Sequence, residues 1–194
     1  QDPSYPIHHY APLIAGANVI KIECLSSENF LNNLNTTLTS QKVKAVLVSF
    51  PHNPTTLTVN QEFYDELVNL ARRYNFLIIN DFAYSDIYFN EEKPPSLLNS
   101  DPQFDHTVEL YSLTKGYSMA GWRVGFAVGN ESAISSLTKL KSYIDYGTFQ
   151  PIQIASTVAI NELDDYPKEV SSIYQDRKIL AEEYLTKYGF EVYK

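Results

Sequence analysis

The sequence predicts an α/β fold, a mainly parallel sheet sandwiched by helices. Two observations carry that reading. The runs "VKAVLVSF" (43–50), "FLIIND" (76–81) and "HTVELYSL" (106–113) are nearly continuous in apolar and β-branched residues, the mark of strands buried on both faces. Helical periodicity fills the stretches between and after them, and strands alternating with helices favour a parallel sheet between helical layers.

The elements follow in order. "GANVIKIECL" (16–25) alternates apolar with polar and reads as a strand. "SENFLNNLNTTL" (27–38) reads as a short helix with Ser27 as N-cap. After the run 43–50, "PHNPTT" breaks the strand. Residues 59–74 place Val59, Phe63, Leu67, Leu70 and Ala71 on one helical face. "RVGFAVG" (123–129) is a fourth strand of the sheet, and helices follow over 131–144 and 150–163. A long helix starts near Pro167, a favoured first-turn residue, and runs to Tyr188, with Gly189 as its stop. "YGFEVYK" (188–194) reads as entering another strand. The start, "QDPSYPIHHY", shows neither an initiator methionine nor a signal-peptide pattern. Both ends read as cut, so the chain is expected to be a piece of a longer protein.

Composition narrows the function. The 194 residues are 44% hydrophobic and 20% charged, the profile of an ordinary soluble protein. The net charge of −8 is concentrated in residues 61–110, which hold ten acids and three bases. Without a basic stripe, nucleic acid is not an expected partner. No apolar run is long enough to span a membrane. The single cysteine, Cys24, excludes an internal disulfide and a cysteine-only zinc site, and fits a reducing, cytoplasmic setting. His8, His9, His52 and His106 lack metal-ligand spacing and read as structural or surface groups; no metal is expected.

In parallel α/β sheets ligands sit beyond the carboxyl ends of the strands. Asn53, Asp81, Ser112 and Lys115 all lie at or just after such ends. Lys115, in "SLTKGYSMAGWRVG", is a candidate Schiff-base former, and otherwise a solvated loop lysine. Ser112 offers a hydroxyl and Arg123 a fork suited to phosphate, and the "GYSMAG" turn lets both fold towards Lys115. Asp81 is either a turn carboxylate or the partner of a protonated pyridine nitrogen. Tyr84 is core packing or a second ligand group beside it. Asn53 makes a turn before Pro54 or binds a phenolic oxygen. Tyr5 is core or a face on which a flat ring stacks. Neither GxGxxG nor GxxxxGK[ST] is present, and there is no GxSxG elbow.

Taken together, "DPSYP", "HNPT", "NDFAY" and "SLTKGYSMAGWRVG" closely resemble the fold-type I pyridoxal-phosphate aminotransferases of class I/II, in order and over the whole chain. Within that family, "SYPIHHYAPLIAGANV" and "LKSYIDYGTFQPIQIA" resemble the bacterial glutamate–pyruvate (alanine) aminotransferases and, beside them, the diaminopimelate aminotransferases. The resemblance implies pyridoxal 5'-phosphate as cofactor. It implies that Lys115 carries the cofactor and moves the substrate proton, and that Asp81 pairs with the ring nitrogen. Asn53 and Tyr84 then bind the ring oxygen, Ser112 and Arg123 the phosphate, and Tyr5 stacks on the ring. It further implies amino-acid and 2-oxo-acid substrates and a homodimer, with "DYGTF" (145–149) reaching the partner. Residues 1–165 are then most of the large cofactor-binding domain, its N-terminal part missing, and 166–194 the connecting helix and the start of the small domain. An aspartate or aromatic aminotransferase and a non-catalytic aminotransferase-like module of a regulator are the alternatives. One departure stands out: the family usually has glycine after "NPT", and this chain has Thr56.

Overall fold

A computed structural model describes residues 1–89 and 92–192. Four strands form one sheet in the order β1 (Ala45–Ser49), β2 (Leu77–Asp81), β3 (Thr107–Ser112) and β4 (Gly125–Gly129). The first three run parallel and β4 runs antiparallel to β3. The register aligns Ser49 with Asp81, Asp81 with Leu110, and Ser112 with Gly125. The carboxyl ends of β1, β2 and β3 and the start of β4 therefore share one rim.

Helices flank the sheet. On one face α2 (Ser27–Ser40) and α3 (Gln61–Tyr74) close the main core, in which Phe30, Leu34, Phe63, Tyr64 and Leu67 pack with Val46, Val48 and Ile78. The α3 face is broader than the apolar spacing predicts, since Tyr64 and Val68 are also buried. Val59 lies before the helix, which Asn60 caps by accepting from Phe63 N, yet it packs against the same core. The remaining helices are α1 (Ile7–Ile14), a four-residue turn α4 (Leu113–Gly116), α5 (Glu131–Ile144), α6 (Gln150–Glu162) and α7 (Tyr166–Lys187).

One side of the strands carries polar groups the apolar runs conceal. Glu109 is buried in β3 beside Asn80. Its carboxylate accepts from Asn80 Nδ2 at 3.0 Å, from Ser96 Oγ at 2.8 Å and from Leu97 N at 2.9 Å. Those three donors make the buried charge tolerable.

Three sequence expectations change. Residues 16–25 form no strand: Asp2 bridges Glu23 alone, with Asp2 N donating to Ile22 O and Cys24 N to Asp2 O. Pro3 follows Asp2 and has no N–H with which to extend the ladder. The alternation survives only as burial, Ile22 and Cys24 inward, Lys21 and Glu23 outward. The cap of α2 is Ser26, not Ser27, because Ser26 holds the extended backbone and its Oγ accepts from Asn29 N at 3.1 Å. After α7, Gly189 at φ +82° ends the helix as expected, but residues 190–192 form no strand, because Phe190 N turns back to Leu185 O. Residues 193 and 194, the end of that expected strand, lie outside the described residues.

Candidate active site

The shared rim positions the predicted residues. Asp81 ends β2 and is tied to β1 by Ser49 Oγ, which donates to Asp81 O at 3.0 Å. Its carboxylate is oriented from two sides: Oδ1 accepts from Ala83 N at 3.2 Å and Oδ2 from His8 Nε2 at 2.8 Å. The carboxylate side chain stays 25% exposed, so one face remains open to a ligand. His8 stands in the first turn of α1, with Ser4 Oγ 3.0 Å from its Nδ1. A carboxylate only accepts, so Nε2 carries a proton.

The reading of His8 as a structural or surface histidine did not foresee this bond to Asp81. The signal was its place three residues after Tyr5, on the same short segment. Tyr5 lies edge-on to the His8 ring at 5.8 Å and is about half exposed. The other histidines bond elsewhere in the fold: His52 Nδ1 to Thr55 Oγ1 at 2.6 Å, His106 Nδ1 to Phe76 O at 3.1 Å, and His9 beside Asp2 at 3.7 Å.

The loop after β1 carries Asn53, whose Nδ2 donates to Tyr84 OH at 3.3 Å. This loop makes its turn with Thr56 at φ +60°, a left-handed conformation suited to glycine, and Thr56 N donates to His52 O at 2.8 Å. The threonine thus keeps the glycine-like turn, and Asn53 still reaches its partner.

Ser112 ends β3 and caps α4, its Oγ accepting from Thr114 N at 3.2 Å. Leu113 and Gly116 face inward, and the amine of Lys115 lies over the Tyr84 ring, 5.5 Å from its centre. Arg123, also left-handed at φ +53°, leads into β4, and its guanidinium donates to Ala120 O at 3.2 Å. The structure therefore links Asn53 and Lys115 through Tyr84, one to its hydroxyl and the other over its ring, and sets Asp81 at the end of β2 on the same rim. Ser112 and Arg123 reach the same rim through the β3–β4 register, but each bonds locally. Among the described residues, neither side chain makes a hydrogen bond to Lys115 or Asp81.

The donor set suits a flat, phosphorylated, cationic ring. A fixed carboxylate faces the rim, an amide and a phenol meet at one point, and a primary amine lies beside them. Ser112 keeps its O–H to donate, and Arg123 has further N–H groups besides the one on Ala120. Among the described residues no group of three or more histidine, cysteine, aspartate or glutamate side chains could hold a metal ion, and no helix is long and apolar enough to cross a membrane.

The profile of the family "Aminotransferase class I and II" matches residues 1–194. The glutamate-pyruvate aminotransferase AlaC of Escherichia coli is 38% identical over 193 residues, 98% of this chain and 47% of that protein. An LL-diaminopimelate aminotransferase of Aquifex aeolicus is 37% identical over 195 residues, 100% of this chain and 50% of that protein. Among solved structures, an aminotransferase from Staphylococcus aureus superposes with a TM-score of 0.84 at 31% identity, covering 99% of this chain and 51% of that one. The chain spans about half the length of the curated relatives it matches.

Proposed function

From the premise that the chain belongs to the class I and II aminotransferases, a pyridoxal phosphate-dependent family of fold type I, we propose that it is the cofactor-binding part of an enzyme moving an amino group between a small amino acid and a 2-oxo acid. The observation that carries this reading is the rim itself: the His8-bound carboxylate of Asp81 beside the Asn53–Tyr84 pair and the Lys115 amine.

Bound pyridoxal phosphate supplies an electron-withdrawing ring that lets a proton leave the α-carbon of the substrate. This chain's residues do the rest. Asp81, aimed by His8 and Ala83 N, would hold the protonated ring nitrogen, and its fixed charge keeps that nitrogen cationic. Lys115 would hold the cofactor through Nζ and, once released, carry the proton to and from the substrate's Cα. Asn53 and Tyr84 would bind the ring oxygen, Ser112 and Arg123 the phosphate, and Tyr5 would cover the ring face. We assign residues 1–165 to most of the large domain and 166–194 to the connecting helix and the start of the small one; α7 begins at Tyr166. A homodimer in the cytoplasm completes the reading.

Alanine with 2-oxoglutarate or pyruvate is the first substrate assignment, supported by the likeness to AlaC. The equal likeness to LL-diaminopimelate aminotransferases supports a second. Borohydride reduction of the full-length protein with pyridoxal phosphate, followed by peptide mapping, tests the cofactor reading: the label lands on Lys115 and is lost in Lys115→Ala. Label elsewhere ends it. Initial rates with alanine and with LL-diaminopimelate, at equal concentration, decide between the substrates.

A further inference from the structure

One carboxylate outside this set touches three elements that frame Lys115. Asp86 lies two residues beyond Tyr84. Its Oδ2 accepts from Tyr111 OH at the end of β3. Its side chain abuts Gly116, the residue after Lys115: a Cβ there would lie 2.6 Å from Asp86 Cβ and 2.7 Å from Oδ2. Its main-chain carbonyl accepts from Ser171 Oγ of α7 at 2.7 Å, and that same Oγ accepts from Tyr88 N at 3.3 Å.

The contacts reinforce one another. Burial first, and the Asp86 carboxylate second, hold the Tyr111 hydroxyl well above its ordinary range, so it stays a donor. The Tyr111 ring stacks on Phe126 of β4, which fixes the phenol from the other side. The fit against Gly116 leaves no room for a side chain, so α4 closes on Asp86 at van der Waals contact. The loop carrying Tyr84, the turn carrying Lys115 and the first turns of α7 thus meet at this one residue.

We propose that Asp86 is a positioning residue: it sets where the Lys115 turn stands and so where the amine lies relative to Tyr84, and it ties that turn to α7. The inference rests on the reading of Lys115 as the cofactor lysine. Removing the side chain opens a gap under α4 and frees the Tyr111 phenol, so Lys115 gains freedom without losing its chemistry.

The test uses the full-length protein reconstituted with pyridoxal phosphate. Visible circular dichroism per bound cofactor reports the asymmetry imposed by Lys115 and its neighbours. Asp86→Ala is expected to lower that signal about twofold and kcat about tenfold, with KM moved less than about twofold. Asp86→Asn keeps the volume and an accepting oxygen and is expected to restore most of both. Tyr111→Phe gives a smaller change in the same direction, and it decides the matter if Asp86→Ala does not fold. Variants that lose only thermal stability, with dichroism and kcat at wild-type values, overturn the proposal. Borohydride labelling of the wild type separates the two readings. Label on Lys115 with unchanged variants defeats this inference alone; label elsewhere defeats the cofactor reading and this inference with it.

Discussion

His8 Nε2 lies 2.8 Å from Asp81 Oδ2, a contact between residues 73 apart in the chain. The His8 side chain is 7% exposed and the Asp81 side chain 25%, so the imidazole braces the carboxylate from the covered side. His8→Ala removes a hydrogen bond to a charged group, worth about 1.5–3 kcal/mol, and leaves Asp81 free to turn. Cofactor affinity of the full-length protein should fall about ten- to a hundredfold, read by pyridoxal phosphate titration. Wild-type affinity in that variant would falsify the bracing role.

Asn53 and Tyr84 act as a pair. Tyr84→Phe keeps the ring under Lys115 but loses the bond from Asn53; Asn53→Ala leaves the phenol without that donor. The two substitutions are expected to be non-additive in cofactor binding, with a coupling of about 0.5–3 kcal/mol in a double-mutant cycle. Strict additivity would mean the 3.3 Å contact contributes nothing to the site.

Thr56 holds a φ of +60° with a β-branched side chain, which is strained. Thr56→Gly relieves a cost of about 1–3 kcal/mol and adds back about 0.5–1 in chain entropy. Urea denaturation should show the variant more stable by about 1 kcal/mol.

Glu109 is buried and bonded by three donors from Asn80, Ser96 and Leu97. Glu109→Ala strands those donors and should lower stability by about 3 kcal/mol. Glu109→Gln keeps the volume and one accepting oxygen, and should lose less. Equal losses would show that neither the volume nor the one retained acceptor matters there, and that only the full carboxylate serves the three donors.

His52 is lowered from its ordinary 6.5 to about 4, by burial first and by the neighbouring His8 second. The unfolded chain therefore takes up this proton before the folded one does. The sign follows: stability from this group is intact above about 6.5 and declines as the pH drops towards about 4. His52→Gln should flatten that part of the pH–stability curve, measured by chemical denaturation at pH 7.5 and at 5. A variant whose curve matches the wild type assigns the acid sensitivity to another group.

The four strands of the sheet, α2, α3 and the last three helices were legible because their cause is local. Period-two or continuous apolar runs and 3.6-residue spacing describe which faces are buried, whatever buries them. Lys115 and Asp81 were legible for a related reason, since polar residues directly after apolar strands project at the rim of a parallel sheet. The segment 16–25 shows the limit: its alternation was a true statement about Ile22 and Cys24 facing inward, but a ladder also needs a partner strand. Helix α1 was missed because Pro6 and Pro12 mask its pattern.

By itself, then, the sequence determined the α/β alternation, the rim and the groups offered there. Only the tertiary structure decided that His8 bonds Asp81, that Asp86 meets Gly116 and Tyr111, that Glu109 has buried donors, and that β4 runs antiparallel to β3. The physical reason is that apolar periodicity records transfer out of water, which has no direction, whereas a hydrogen bond or a close contact requires one particular partner, here supplied by residues distant in the chain.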